Sequence, residues 1–238
     1  MTALLPGQAA APEGPADMRM MYLLHHGFRR DLACFAAAAK HIPADDAATW
    51  EALLRRWDLF AALLHDHHEK EDAVLWPYLR DRAAQANDLP ALKLLEEMEA
   101  EHSIIDPLLQ DARRALAEQV ARPDERNRDG LVAVLEQTAA ELGDHLSHEE
   151  RDAIAILQKY VGGDEWADLE RRKFRGGLKP SVLLSMLPWV AQDAPESAVA
   201  PLLAEAPAPF RLMLRLGRKR FQRLQSAAFS HVPAGVGA

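Results

Sequence analysis

The sequence lacks the residues that several common kinds of functional site require. Its 238 residues include a single cysteine, Cys34, which excludes an intramolecular disulfide and any cysteine-rich zinc or iron–sulfur site. It contains no glycine-rich phosphate loop and no serine nucleophile elbow. No apolar stretch approaches membrane-spanning length, and the N-terminus lacks the cationic and apolar parts of a signal peptide. We therefore expect a soluble, cytoplasmic protein.

Positive charge is scarce in the first two thirds of the chain. Residues 1–160 carry 17 basic and 29 acidic side chains, whereas residues 161–238 carry 11 and 7. The overall net charge of −8 argues against a nucleic-acid partner. The shift in charge, together with an N-terminus rich in Ala, Pro and Gly, predicts a disordered leader at residues 1–16, a main domain at 17–162 and an extension at 163–238.

Helical periodicity fills the main domain, and no strand pattern competes with it. The predicted helices cover residues of about 17–40, 45–76, 88–121 and 129–162, each bounded by proline, glycine or aspartate turn signals. Further helices are predicted in the extension at about 164–175, 181–192, 198–206 and 210–226, with breaks at Gly176-Gly177, at Pro188 and at Pro207-Ala208-Pro209. We predict an all-α protein, an up-down-up-down four-helix bundle with a helical C-terminal extension.

Each bundle helix has an apolar stripe, spaced by threes and fours, that must face the core. On the second helix the predicted stripe continues past Glu71 to Val74. Every stripe includes a histidine, and two stripes continue with a glutamate four residues later, one turn along the same face. A single histidine on such a stripe is more often a packed core residue than a ligand, but four in this arrangement favour a metal site. The predicted ligands are His25, His67, Glu71, His102, His145 and Glu149.

The two halves of the main domain repeat each other. His25 and His102 are separated by 77 residues, and both His67 to His145 and Glu71 to Glu149 span 78. A duplicated helical hairpin brings both copies of the motif to the same depth. Six ligands are too many for one tetrahedral zinc ion and leave positions open on two octahedral ions. We expect two non-haem iron ions, with manganese or zinc as alternatives, and an oxo or hydroxo bridge between them.

Several neighbouring polar residues have more than one role open to them. Three histidines share helical turns with the predicted ligands, and we expect them to support ligands or to face solvent: His65, His68 and His148. His68 and His26 replace the predicted ligands if the helical register differs. Asp66 and Asp144 recur in both repeats and either orient ligand imidazoles or are solvated. Tyr22, one turn before His25, either reaches the metals or simply packs.

The complete pattern resembles the hemerythrin family, in particular the HHE cation-binding domains of bacterial hemerythrin-like proteins, whose ligands follow the order H, HxxxE, H, HxxxE. The resemblance covers residues from about 18 to 161, and its two longer motifs are His67-His68-Glu69-Lys70-Glu71 and His145-Leu146-Ser147-His148-Glu149. It implies a four-helix bundle holding a non-haem di-iron centre that meets O2, peroxide or nitric oxide.

Two departures from the oxygen-carrying hemerythrins bear on what the resemblance implies. Met98 stands where the carriers have a second histidine on the third helix, so that one iron loses an imidazole. Glu149 follows its histidine by four residues, where the carriers have an aspartate at five. The lost imidazole argues against simple reversible O2 carriage and favours oxidant chemistry or sensing. The alternative is a module that senses or stores O2, nitric oxide or iron, with the C-terminal helices relaying the metal state.

The last predicted helix is basic and amphipathic. In residues 210–221, apolar and cationic side chains alternate in clusters. We expect this helix to pack on the acidic bundle of its own chain, and contact with an acidic membrane surface or a protein partner is the alternative.

Overall fold

The computed structural model describes residues 4–174, 180–205 and 208–237, and all regular secondary structure within them is helical. The all-α prediction is therefore confirmed. Four long helices form the bundle: α1 (Arg19–His41), α2 (Ala47–Lys70), α4 (Leu89–Ala121) and α5 (Glu125–His148). The second and fourth continue through short π-helical segments, Glu71–Leu75 and Glu149–Ala153, into α3 (Trp76–Gln85) and α6 (Ile154–Tyr160).

Aspartate side chains set three of the helix starts. Asp46 accepts a hydrogen bond from the backbone N–H of Thr49 at 3.1 Å, which satisfies one of the free donors of the first turn of α2. Asp88 begins α4 and Asp124 begins α5 in the same way. Because Asp124 is the cap, α5 starts four residues before the predicted Asp129.

The second bundle helix does not end at Trp76, the end predicted from the proline after it. The helical run continues to Gln85, because the π turn places Pro77 in the first turn of α3, where its missing N–H costs no hydrogen bond. The same turn explains why Leu75 is buried and the predicted Val74 is not. One extra residue in the turn rotates the following stripe by one position.

The predicted ligands form a polar layer between two apolar clusters. On one side the core includes Phe28, Leu64 and Leu142, and on the other it includes Met21 and Met98. The predicted core stripes of α1, α4 and α5 are buried as expected. The predicted ligands therefore lie inside a packed core, where an uncompensated charge is costly.

Residues 4–16, predicted to be a disordered leader, lie as an irregular segment on the surface of the bundle. The backbone N–H of Ala9 donates to Glu150 at 2.7 Å, and that of Ala16 donates to Gln158 at 2.9 Å. Leu5 and Ala16 are buried by this contact. The segment thus covers the α1–α5 side of the bundle next to His25.

The extension contains α7 (Gly163–Leu169) with a π segment at Glu170–Phe174, then α8 (Pro180–Val190), α9 (Glu196–Glu205) and α10 (Ala208–Ala228). Pro188, a predicted break, lies inside α8. The predicted breaks at Gly176-Gly177 and at Pro207 fall outside the described residues. A Cβ added at Gly217 of α10 would meet the backbone oxygen of Leu184 at 1.8 Å, so only glycine permits this close approach of α8 and α10.

The basic helix α10 packs on α8 and α2 through its apolar face, where Phe221 and Ala228 are buried. Its cationic side chains point away from that contact: Arg211, Arg215, Arg218, Lys219, Arg220 and Arg223 are exposed. The exposed cations of α10 therefore take no part in its contact with the bundle, contrary to an attraction between this helix and the acidic bundle. No helix within the described ranges is long and apolar enough to cross a membrane.

A buried charged network joins the extension to the bundle. Asp31 of α1 accepts hydrogen bonds from Arg56 of α2 and from the indole N–H of Trp189 in α8, the latter at 2.7 Å. Arg30 binds the same carboxylate and also donates to the backbone oxygen of Trp189. Gln225 of α10 accepts from Arg56 at 2.9 Å. One carboxylate thus links three helices around two buried guanidinium groups.

Replacing this carboxylate is expected to destabilise the whole chain. Burial opposes the charged form of Asp31, but Arg56 and Arg30 outweigh it and hold its pKa below the ordinary range. The substitution Asp31→Asn leaves the two arginines without a counter-charge and should lower the free energy of unfolding by about 3–5 kcal/mol in denaturant titrations at neutral pH. Because the folded pKa is depressed, this difference should be present at neutral pH and shrink as the pH falls below about 3.8.

The matched control is Glu136→Gln, which breaks an exposed ion pair with Lys40. That change should alter the free energy of unfolding by less than about 1 kcal/mol. Equal effects of the two substitutions would contradict the role assigned to Asp31.

Candidate metal centre

The bundle brings all six predicted ligands together in its core. Each is at most 7% exposed. All six, together with a further histidine, His68, form three overlapping groups of three residues. In each group, every residue has one histidine nitrogen or carboxylate oxygen within 4.8 Å of those of the other two. The groups are His25, His67 and Glu149; Glu71, His145 and Glu149; and His68, His102 and His145. Two clusters of imidazoles are therefore joined by two carboxylates.

Both glutamates stand at the first residue of a π-helical segment. The backbone oxygen of Glu71 accepts from the N–H of Trp76, and that of Glu149 accepts from the N–H of Ile154, each across five residues. The segments Glu71–Leu75 and Glu149–Ala153 are related by the same 78-residue spacing as the ligands. Single π turns are rare and frequently occur at functional sites. The apolar stripe before each turn does not indicate that the turn follows.

Glu71 faces both imidazole clusters. One carboxylate oxygen lies 3.3 Å from Nε2 of His67, and the other lies 3.6 Å from Nε2 of His102. Glu149 approaches Nε2 of His25 at 3.1 Å and also belongs to the group that includes His145. A carboxylate with its two oxygens directed at different ligand sets has the arrangement required to bridge two cations.

A second set of carboxylates holds the outer side of three imidazoles. Nδ1 of His25 donates to Glu150 at 2.9 Å, and Nδ1 of His102 donates to Asp72 at 2.8 Å. Glu150 and Asp72 each directly follow a ligand glutamate, and each serves the histidine contributed by the other repeat. Such contacts fix the ring orientation and leave Nε2 directed inward.

The third outer carboxylate is Glu101, which accepts from Nδ1 of His145 at 2.7 Å and from Nδ1 of His148 at 2.8 Å. Asp66 and Asp144 were the predicted candidates for this role, and Glu101 was missed. Asp66 instead accepts from Lys70 at 2.6 Å. The sequence contains a signal for two of the three outer carboxylates, because an acidic residue, Asp72 or Glu150, follows the predicted glutamate ligand in both repeats. The residues around Glu101 contain no comparable signal.

Six inward-facing atoms of the site make no hydrogen bond of good geometry with the described residues, although Nε2 of His25 lies 3.1 Å from Glu149. These are Nε2 of His25 and His67 and both carboxylate oxygens of Glu71 and Glu149. Buried polar atoms are rarely left unpaired in proteins, because each loses its hydration without compensation. Cations placed among them would satisfy all of these atoms at once, so the residues present fit a metal centre.

The charge states of the protein groups lead to the same conclusion. Burial opposes the cationic form of His25, but the carboxylates of Glu149 and Glu150 outweigh it and raise its pKa to about 9. Burial and the charge of Glu149 raise the pKa of Glu71 well above its ordinary value. Metal binding uses the neutral imidazole of His25 and the ionised carboxylate of Glu71. These are the forms that the protein alone disfavours, and the positive charge of divalent cations would stabilise them.

The alternative residues fall in different places. His26 is buried but belongs to none of the groups of possible ligands, and His65 is exposed. His68, predicted to support a ligand or to face solvent and to be a ligand only in a different register, is buried within the group formed with His102 and His145. Burial lowers the pKa of His68 to about 4, so its ring is neutral.

Tyr22 has a buried hydroxyl for which the described part of the chain offers no hydrogen-bond partner. Burial, with the charges of Glu150 and Glu149, raises its pKa to about 12. The hydroxyl group therefore keeps its proton at neutral pH, next to the carboxylates that surround His25.

The outer carboxylate Glu101 provides a test of the metal centre that leaves every inward-facing group intact. The substitution Glu101→Gln weakens the acceptor that orients His145 and should lower the affinity for divalent metal by about 10- to 100-fold. Competition titrations against a coloured chelator measure this change. Glu96→Gln, at an exposed position of the same helix, is the control and should retain wild-type affinity. Equal affinities of the two variants would argue against the orienting role of Glu101.

Comparison with known proteins agrees with the geometry. The family model of the hemerythrin HHE cation binding domain matches residues 16–157. No curated protein and no solved structure matches the chain significantly. The family match covers more than half of the chain and includes every predicted ligand, so the suspected family is confirmed. The chain belongs to the hemerythrin HHE cation-binding domain family, and its helical bundle is a cation-binding domain.

Proposed function

We propose that the bundle holds two non-haem iron ions and that these ions react with O2, peroxide or nitric oxide. The observation that carries the proposal is the pair of imidazole clusters joined by Glu71 and Glu149. One ion would take His25, His67 and Glu149, and the other would take His102 and His145. Glu71 would connect them, since its two oxygens face different clusters.

The number of ligands supports chemistry rather than static structure. If both glutamates bridge, the six residues supply about eight of the 10–12 positions that two such ions offer. Two redox-active ions with open positions can bind a small molecule and exchange electrons with it. The donor set contains imidazole and carboxylate without thiolate, which suits iron or manganese and also admits zinc. Cys34 belongs to none of the groups of possible ligands among the described residues.

The chain's own residues would hold and protect the site. Glu150, Asp72 and Glu101 keep the imidazoles oriented. The apolar clusters on either side of the polar layer exclude bulk water, which strengthens every electrostatic contact within it. A surface cavity of 410 Å³ between α4 and α5 is lined by Glu101, His145 and His148, and it offers a small molecule an approach beside the ligand His145.

Metal content and reactivity test the proposal together. Protein purified without oxygen should contain about two irons per chain, change its absorption spectrum on addition of peroxide, and evolve O2 from peroxide or consume nitric oxide. These rates should fall by at least about 100-fold in His67→Ala and Glu149→Ala, because each change removes a ligand. His65→Ala, an exposed histidine of the same helix, should behave as the wild type.

Two results would reject this function. Rates unchanged by loss of His67 or Glu149, in variants whose circular dichroism shows a folded bundle, would place the reaction elsewhere. Two redox-silent ions with no visible absorption would instead identify a structural zinc protein.

A second candidate function, sensing without turnover, is favoured by the contact between the extension and a ligand. The Trp189 ring of α8 packs on Phe28 with 5.1 Å between ring centroids, and Phe28 packs on His67 at 5.4 Å. Gly27 permits this approach, since a Cβ there would lie 2.7 Å from the Trp189 ring. A shift of His67 on metal or ligand binding would therefore displace Phe28 and, through it, Trp189 of the extension.

Hydrogen exchange tests this relay. Loading the wild-type protein with metal should slow amide exchange in α8 and α10 by at least about tenfold, if ordering of His67 and Phe28 stabilises the docked extension. In Trp189→Phe, which loses the hydrogen bond to Asp31 but keeps an aromatic ring, the metal-dependent part of this protection should shrink. Trp166→Phe in α7, whose indole donates to the backbone of Asp17, is the matched control. Amide exchange rates in α8 and α10 that do not change on metal loading would count against sensing.

A further inference from the structure

His68 is a buried histidine that has no hydrogen-bond partner among the residues that the structure describes. It is 2% exposed, and neither ring nitrogen has a partner. The carboxylate of Asp106 lies on the Nδ1 side but remains 3.7 Å away. A buried imidazole without partners loses its hydration and gains no hydrogen bond, which destabilises the folded state. A bound ion or molecule that contacts its nitrogen would remove this cost.

The neighbours of His68 are two predicted metal ligands. Its ring stacks on His102 with 4.0 Å between centroids and 10° between planes, and it meets His145 edge-on at 5.5 Å. One nitrogen of each ring lies within 4.8 Å of the others. Nε2 of His102 and Nε2 of His145 are 3.2 Å apart. Two nitrogens bound at right angles, each about 2.1 Å from one ion, would be separated by about 3 Å.

The duplication shows that helix packing does not require a histidine at this position. The residue 78 places later is Leu146, which is fully buried in the equivalent part of the second repeat. The fold therefore accepts an apolar side chain there, and an apolar side chain would avoid the cost of burying an unpaired imidazole. His68 departs from the repeat at the point where the chain already gathers two other histidines.

The orientation of His68 follows that of its neighbours. His102 and His145 have a carboxylate on the Nδ1 side and direct Nε2 inward. Asp106 stands on the Nδ1 side of His68 in the same sense, at longer range. Outer carboxylates of this kind accompany metal-bound histidines because they fix the ring and increase its basicity.

We propose that His68 is a seventh protein ligand, which binds the second ion through Nε2 together with His102 and His145. This assignment rests on the proposed function, since it requires the second ion to be present. The second ion then has three imidazoles, whereas the first has two, from His25 and His67. The two ions are consequently inequivalent, and α2 supplies the imidazole that Met98 does not provide on α4.

The substitution His68→Leu tests the assignment, because it installs the residue that the second repeat already carries at the equivalent position. We expect the variant to fold, with a circular dichroism spectrum like that of the wild type. In anaerobic Fe(II) titrations, one ion should bind as in the wild type. The other should bind at least about tenfold more weakly, since loss of outer support alone costs about 10- to 100-fold. Mössbauer spectra of the iron-57 protein at saturating iron should show that one of the two ferrous signals has changed.

His65→Leu is the matched control, because this histidine lies on the same helix but is exposed. It should leave both affinities and both ferrous signals unchanged. Two wild-type affinities and unchanged signals in folded His68→Leu would overturn the assignment while leaving the two-iron proposal standing. A wild-type protein that takes up no iron would instead overturn the proposed function itself.

Discussion

The bundle is organised around a layer of ionisable side chains, six of whose inward-facing atoms make no hydrogen bond of good geometry with the described residues. These atoms include both oxygens of Glu71 and of Glu149, which lie between two sets of histidines. Such a layer would destabilise an apolar core unless positive charge compensated it. The flanking apolar clusters and the outer carboxylates Glu150, Asp72 and Glu101 hold the layer in a fixed geometry, so that the fold and the metal centre depend on each other.

Much of this arrangement was predictable from periodicity and duplication. The three-four spacing placed His25 on the core side of α1 because Phe28 and Leu32 lie on the same stripe, and both are buried. The π turns were not predictable, because an additional residue in one turn leaves the apolar pattern before it unchanged and rotates only the residues after it. Val74 and Leu75 exchange places for this reason. The prediction from apolar stripes also assumes that one residue per helical turn faces the core. For this reason it placed His67 in the core in preference to His68, although both are buried.

Long-range contacts were the other source of error. Glu101 was missed because its partners, His145 and His148, lie on a different helix more than 40 residues away. The irregular N-terminal segment has the composition of a disordered leader, yet Glu150 and Gln158 hold it through backbone hydrogen bonds. Its composition indicates that the segment cannot fold by itself. Its conformation depends instead on its contacts with the surface of the bundle. The family resemblance, by contrast, rested on the spacing of several motifs and was confirmed over residues 16–157.

The matched π turns have a consequence for the symmetry of the site. Glu71–Leu75 and Glu149–Ala153 occupy equivalent positions in the two repeats, and each turn begins at one of the two glutamates. Each repeat therefore presents its carboxylate from the same local backbone, and a single hairpin holds only half of the predicted ligands. His68 opposite Leu146 is a position at which the two halves of the site differ.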